Sequence, residues 1–74
     1  MNHLPVRSSL ITSIAHDGDT LEIVFNNGQR YQYKGVTTED FAAFRDAKSV
    51  GRYFGENIRG RFAHERIEEE KETE

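Results

Sequence analysis

Two turn signals bracket one alternating run in the first half of this chain, and together they leave few folds open. From Thr20 to Phe25, the residues Leu21, Ile23 and Phe25 alternate with Glu22, Val24 and Asn26, the period of two that marks a half-buried strand. Asp17-Gly18 precedes the run and Asn26-Asn27-Gly28 follows it. Asp, Asn and Gly tolerate the positive φ that tight hairpins need. Strands joined by two or three residues have no length for a crossover, so they must be antiparallel neighbours. The sequence predicts a meander of three strands, Ser9 to Ala15, Thr20 to Phe25 and Gln29 to Lys34.

The loops then set the faces. A two-residue Asp17-Gly18 loop places Ile14 opposite Leu21 and Thr12 opposite Ile23. Leu10, Thr12 and Ile14 share one face of the first strand, and Ile11, Ser13 and Ala15 the other. The second turn can be read two ways. A two-residue Asn27-Gly28 loop puts Phe25 opposite Arg30 and Ile23 opposite Gln32, which mixes apolar with polar positions. A three-residue loop, with Gly28 left-handed, pairs Phe25 with Gln29, Ile23 with Tyr31 and Leu21 with Tyr33. A one-residue slip moves every side chain to the opposite face, so burial selects the three-residue loop.

Gly35 closes the third strand. Thr37-Thr38-Glu39-Asp40 then reads as a helix start, with Thr37 as cap and the acids at the positive end of the dipole. Phe41, Phe44 and Ala47 keep helical spacing. Ser49 caps a second short helix in which Val50, Phe54 and Ile58 share a face. Gly51 and Gly55 weaken it, so it ends near Gly55 or continues as 3₁₀ turns. Ile58 to Ala63 reads as a further extended segment, and Glu65 to Glu74 as a solvated, frayed or helical tail. The expected fold class is α+β: a three-stranded antiparallel meander followed by two short helices packed on one face. Residues 1–66 form the single domain and 67–74 the acidic tail.

Composition narrows the means of stabilisation. In 74 residues, 35% are hydrophobic, below the usual value of roughly 45–50%. A core of this size rarely supplies more than about 3–5 kcal/mol. With no cysteine, disulfide staples and thiolate metal sites are excluded, and a reducing compartment fits without being required. Five Phe and three Tyr are the main packing stock. The start, Met1 to Arg7, lacks the apolar stretch of a signal peptide, and apolar runs of two or three residues are too short to span a bilayer. The expected location is the cytoplasm.

The net charge of −3 is unevenly spread. Residues 1–44 carry −2, residues 45–66 carry +3 and residues 67–74 carry −4. The positive segment holds Arg45, Lys48, Arg52, Arg59, Arg61 and Arg66.

A family resemblance rests on several short motifs in order: Ser8-Ser9, Ile11, Leu21-Glu22-Ile23-Val24-Phe25-Asn26-Asn27-Gly28, Tyr31-Gln32-Tyr33, Gly35-Val36, Ala47-Lys48-Ser49-Val50-Gly51-Arg52-Tyr53-Phe54 and Ile58-Arg59-Gly60. From about Val6 to Phe62 the chain resembles the KTSC family, whose signature is a Tyr-x-Tyr motif. The resemblance implies a small domain found at the C-terminus of some lysyl-tRNA synthetases and as stand-alone bacterial or phage-type proteins. That attachment implies RNA as a partner. The chain departs from the family at Gly55, where an asparagine is expected, and at Phe62, where Tyr is common.

Two sets of residues could bind a ligand. Tyr31 and Tyr33 lie on one strand face and could stack unpaired bases, at about 1–3 kcal/mol each. The chosen register also groups them with Leu21, Ile23 and Phe25, which favours packing on the helices. The second set is Lys48, Arg52, Arg59 and Arg61 with Tyr53 among them. On a continuous helix Lys48 and Arg52 share a side, Gly60 permits close backbone approach, and cations beside an aromatic suit a nucleic-acid backbone. A balanced, solvated surface would use the same residues.

No catalytic constellation is legible. His3, His16 and His64 have no metal-ligand spacing, and His64 to Glu68 lacks the second histidine of a zinc-protease motif. There is no phosphate-binding glycine loop. Asp17 and Asp19 are explained by turn geometry. The expectation is a non-catalytic binding module without cofactor or metal. RNA or another nucleic acid is its first partner class, and protein interaction or homo-oligomerisation is the alternative.

Overall fold

The structure is a computed structural model and describes residues 2–67. Its sheet has five antiparallel strands in sequence order: β1 (Leu4–Pro5), β2 (Ile11–Asp17), β3 (Thr20–Phe25), β4 (Arg30–Lys34) and β5 (His64–Ile67). Between β4 and β5 lie α1 (Thr38–Arg45), α2 (Val50–Tyr53) and a π-helical turn, Phe54–Ile58. The α+β class and the central meander agree with expectation, whereas the expected three strands become five. Both additions are edge strands. β1 is two residues long and contains Pro5, and β5 is His64-Glu65-Arg66-Ile67, a charged run. Shortness, proline and charge blunt sheet edges against foreign strands, and they also erase the alternation by which a strand is read. The segment expected to be extended, Ile58 to Ala63, instead contains the end of the π turn and the loop before β5. β5 takes Glu65 to Ile67, the first three residues of the segment expected as a solvated, frayed or helical tail, and so reaches one residue into the expected acidic tail at 67–74. Residues 68–74 lie outside the described residues.

Burial selects the register at the second hairpin. Leu21 pairs with Tyr33 and Ile23 with Tyr31. The Phe25 amide donates to the Gln29 carbonyl at 2.8 Å, and Gly28 takes φ 91°, which fits a three-residue loop. The first hairpin differs from expectation by two residues. Asp17 pairs with Thr20, so the loop is Gly18-Asp19 and Ile14 faces Ile23, not Leu21. Positive φ falls on Gly18 alone, as a type II′ turn requires. An even shift preserves the faces. A bulge between Ile11 and Ser13 does not. It leaves Thr12 exposed and turns Ile11 onto the core face with Ile14, while Leu10 is 43% exposed.

Local signals fix the helices. Thr37 accepts from the Asp40 amide while the Asp40 carboxylate accepts from the Thr37 amide, a reciprocal cap. Ser49 caps α2 through the Arg52 amide. Phe44, Val50, Phe54 and Ile58 close over Ile11, Ile14, Leu21 and Ile23 in one cluster, so the helical half lies on one face. After Tyr53 the chain widens into the π turn rather than tightening into 3₁₀ geometry. There the Arg59 amide reaches back five residues to the Phe54 carbonyl at 2.8 Å.

Candidate functional site

Tyr31 and Tyr33 alternate with Gln32 along β4, so both rings point to the helical side. The helices cover them unequally. Tyr33 is 4% exposed and meets Phe54 edge-on at 5.8 Å, while Tyr31 is only half-buried. The expectation that both tyrosines pack under the helices therefore holds for Tyr33 and in part for Tyr31, which packs against the core cluster with one side left open. The roof stops short because the π turn ends at Ile58, and the chain then leaves as an extended loop through Arg59.

The gap is an open hollow of about 500 Å³, within the roughly 300–1,000 Å³ of ordinary ligand pockets. Phe25, Tyr31, Tyr33 and Phe54 supply the aromatic wall. Phe25 meets Tyr31 edge-on at 5.6 Å, and the two tyrosine rings lie 6.4 Å apart. His64 of β5 stands beside them, 5.9 Å from Tyr31 and 5.6 Å from Tyr33. Asn26, Asn27 and Gln29 from the second turn bring amides to the lining, and Arg59 and Gly60 bring a cation and bare backbone. Burial pushes the Tyr33 phenol above its ordinary value and Tyr31 adds to this, while the Arg59 charge pulls it back.

The other predicted residues do not join this site. Tyr53 is half-buried with its ring 5.7 Å from Phe44, so it is part of the packing. Arg52 donates through Nε to Glu56 at 3.0 Å on the solvent side of the helical half. Lys48 precedes the Ser49 cap, so no continuous helix aligns it with Arg52. Lys48 lines another, smaller hollow with Arg7 and Arg45. Arg61 is exposed, and its amide bonds to the Ile58 carbonyl. His64 and the turn amides were missed in the sequence. The amides read as turn formers, and His64 gains its place only through the pairing of Tyr33 with His64 between β4 and β5.

The opposite face of the sheet is polar and closed. Glu22 is 7% exposed, with Oε2 held by His3 Nε2 at 2.7 Å and Arg30 Nη1 at 2.9 Å, and Oε1 by Gln32 Nε2 at 2.8 Å. His3 Nδ1 lies 3.0 Å from the Ser13 hydroxyl. With Nε2–H donating to the carboxylate, a neutral ring leaves Nδ1 to accept from Ser13. Burial pushes the Glu22 carboxyl up, but the bonds from Gln32, His3 and Arg30 together with the Arg30 charge outweigh it, and its pKa falls below the ordinary value. This cluster fastens the β1 segment to the sheet. Among the described residues, no three His, Asp or Glu side chains gather as a metal site would require.

Sequence comparison matches the KTSC domain to residues 7–62. The chain belongs to the KTSC family. It is similar to the KTSC domain protein of Yersinia pestis, whose crystal structure aligns with a TM-score of 0.84 at 41% identity, over 90% of this chain and 97% of that one. It is also 33% identical over 58 residues to an uncharacterised protein of Stutzerimonas stutzeri strain A1501, covering 76% of this chain and 82% of that relative. The KTSC match includes Tyr31, Tyr33 and Arg59 and stops before β5. His64 lies outside the matched stretch. The two departures are mild: a Cβ at Gly55 would meet open space, and Phe62 packs at the edge of the core.

Proposed function

We propose that this KTSC domain is a non-catalytic binding module that takes an unpaired base of single-stranded RNA into the Tyr31–Tyr33 hollow. One observation carries the reading: the two tyrosines and Arg59, far apart in sequence, line the same open hollow. Stacking on an aromatic contributes about 1–3 kcal/mol per base and does not depend on which base is present. Arg59 supplies a cation for the adjoining phosphate. The Gln29 side-chain amide offers a donor and an acceptor to the edge of the base, while Asn26 and Asn27 hold the turn. The synthetase context of the family favours RNA over DNA. Arg52 and Arg61 then act as part of the general positive field of the segment.

The test is a titration of labelled single-stranded RNA, the matching DNA and tRNA at low and physiological salt. Tyr31→Leu, which keeps apolar bulk, and Arg59→Ala should each weaken RNA binding by roughly 5- to 150-fold, the equivalent of one lost stack or its phosphate anchor. No binding at low salt, or binding indifferent to both substitutions, refutes the reading. Protein association through the sheet edges is less favoured, because β1 is short and proline-bearing and β5 is charged.

A further inference from the structure

The second hollow lies between the Leu4–Arg7 segment and the corner where α1 passes to α2. It encloses about 400 Å³ and is lined by Leu4, Pro5, Val6, Arg7, Arg45, Ala47, Lys48 and Val50. Three of these are cations and none is an acid. Asp46 is the neighbouring carboxylate, and it is engaged by Arg45 Nε at 3.1 Å. The Arg45 guanidinium also lies 5.9 Å from the centre of the Phe41 ring. Arg7 and Lys48 have no side-chain hydrogen bond or ion pair among the described residues.

One packed contact lies between the segments that line the two hollows. The N-terminal segment lies directly on α2, so that a Cβ at Gly51 would stand 3.2 Å from Ser8 Oγ and 3.7 Å from Leu10 Cβ. The segment is held there: Ser8 Oγ accepts from the Leu10 and Ile11 amides, and Asn26 Nδ2 donates to the Ser8 carbonyl at 3.1 Å. On one side of this contact, Leu4 to Arg7 and Val50 line the cationic hollow. On the other, Ser9, Leu10 and Phe54 line the aromatic one. The linings of the two hollows therefore adjoin along the chain, with Val6 and Arg7 before Ser8 and with Ser9 and Leu10 after it.

We infer that the cationic hollow is a phosphate subsite, in which Arg7 and Lys48 contact the backbone of a nucleotide neighbouring the stacked one. The inference rests on the proposed reading of the aromatic hollow and extends it from a single base to a short strand. The fit is one of charge: the Arg7 and Lys48 cations beside apolar side chains suit a phosphodiester with its sugar, and the neighbouring Asp46 carboxylate is offset by Arg45.

The experiment compares uridine monophosphate with single-stranded oligouridine of two, four and six nucleotides, against wild type and the Arg7→Ala/Lys48→Ala pair. The monophosphate, followed by NMR shifts of the Tyr31 ring, should bind both proteins equally. The hexamer should bind the double variant roughly two- to thirtyfold more weakly at low salt, the sum expected of two exposed charge contacts. Its log–log salt slope should fall by about 1.4, because each phosphate contact on a single strand contributes about 0.7. Lys48→Glu, as a folded charge reversal, should deepen the loss. An unchanged hexamer slope overturns the subsite, as does an equal loss for monophosphate and hexamer. A glutamate hexapeptide that displaces the hexamer at equal charge concentration also overturns it, since it would show an acidic-peptide site. Failure of the aromatic reading looks different: Tyr31→Leu then leaves hexamer binding intact. Absence of any hexamer binding refutes both.

Discussion

The two faces of the sheet bury their side chains by different physics. On the helical face, Ile11, Ile14, Leu21 and Ile23 are sealed by apolar contact with the helices. Apolar contact is non-directional and need not be complete, so the roof can stop at Ile58 and leave Tyr31 half open. On the other face Glu22 is almost as buried, but each of its oxygens is already held by partners. A buried carboxylate tolerates no such gap, because an unmet acceptor costs about 1–3 kcal/mol or more. The polar face is therefore a finished structure, whereas the apolar face retains ring surface and a cation with room for a ligand. Buried polarity marks the clamp here, and incomplete apolar packing marks the candidate site.

The largest effect comes from breaking the helical face. Phe44 is fully buried at the centre of the cluster. Phe44→Ala should cost about 3–5 kcal/mol in lost transfer energy and cavity. That matches the whole net stability expected of so small a core. Thermal unfolding followed by circular dichroism should lose its cooperative transition. A variant that still melts sharply within a few degrees of wild type would show that the sheet stands without its roof.

Breaking the polar face should cost less and carry a pH signature. Glu22→Ala strands His3, Arg30 and Gln32, yet Arg30 and His3 are partly exposed and can turn to water. A loss of about 1–3 kcal/mol is expected. The folded pKa of Glu22 lies below its ordinary value. Its stabilisation is therefore complete above the unfolded pKa and is lost as the pH falls through the folded one. Denaturant midpoints measured from neutral pH down through the carboxylate range should converge for wild type and Glu22→Gln as the pH falls. A difference that persists at the acid end would mean that shape, not charge, gives Glu22 its role.

The contrast also explains what was legible in the sequence. The register from Leu21 to Tyr33 was readable because a one-residue slip would have exposed a whole face. The capped starts at Thr37 and Ser49 were readable because caps are local chemistry. β1 and β5 were not, since their residues are those that hide a strand edge. The bulge at Thr12 was also silent: unbroken alternation already puts Leu10 and Ile14 together on one face, so nothing in the pattern asks for an irregularity that brings Ile11 inward in place of Leu10. At the site, the Tyr motif and the arginines were each visible. Their meeting was not, because it depends on where the π turn releases the chain. Single-residue propensities at Gly51 and Gly55 foretold weakness without its direction.

The smallest effect is expected on neither face. Arg52 projects to solvent from α2 and pairs with Glu56 one turn on, both side chains being well exposed. Such i,i+4 pairs contribute about 0.3–0.5 kcal/mol. Arg52→Ala should therefore shift the melting midpoint only slightly. It should also leave the NMR shifts of Tyr31 with uridine monophosphate unchanged, because Arg52 does not line the hollow. The same substitution tests whether charge alone brings RNA to the domain. If all that matters is the +3 of the segment, Arg52→Ala and Arg59→Ala weaken RNA binding equally and reduce the salt slope equally. If Arg59 matters by its place beside Tyr31 and Tyr33, Arg59→Ala is the more damaging of the two at every salt concentration. The gap between them widens as salt screens the diffuse field and spares the short-range contact.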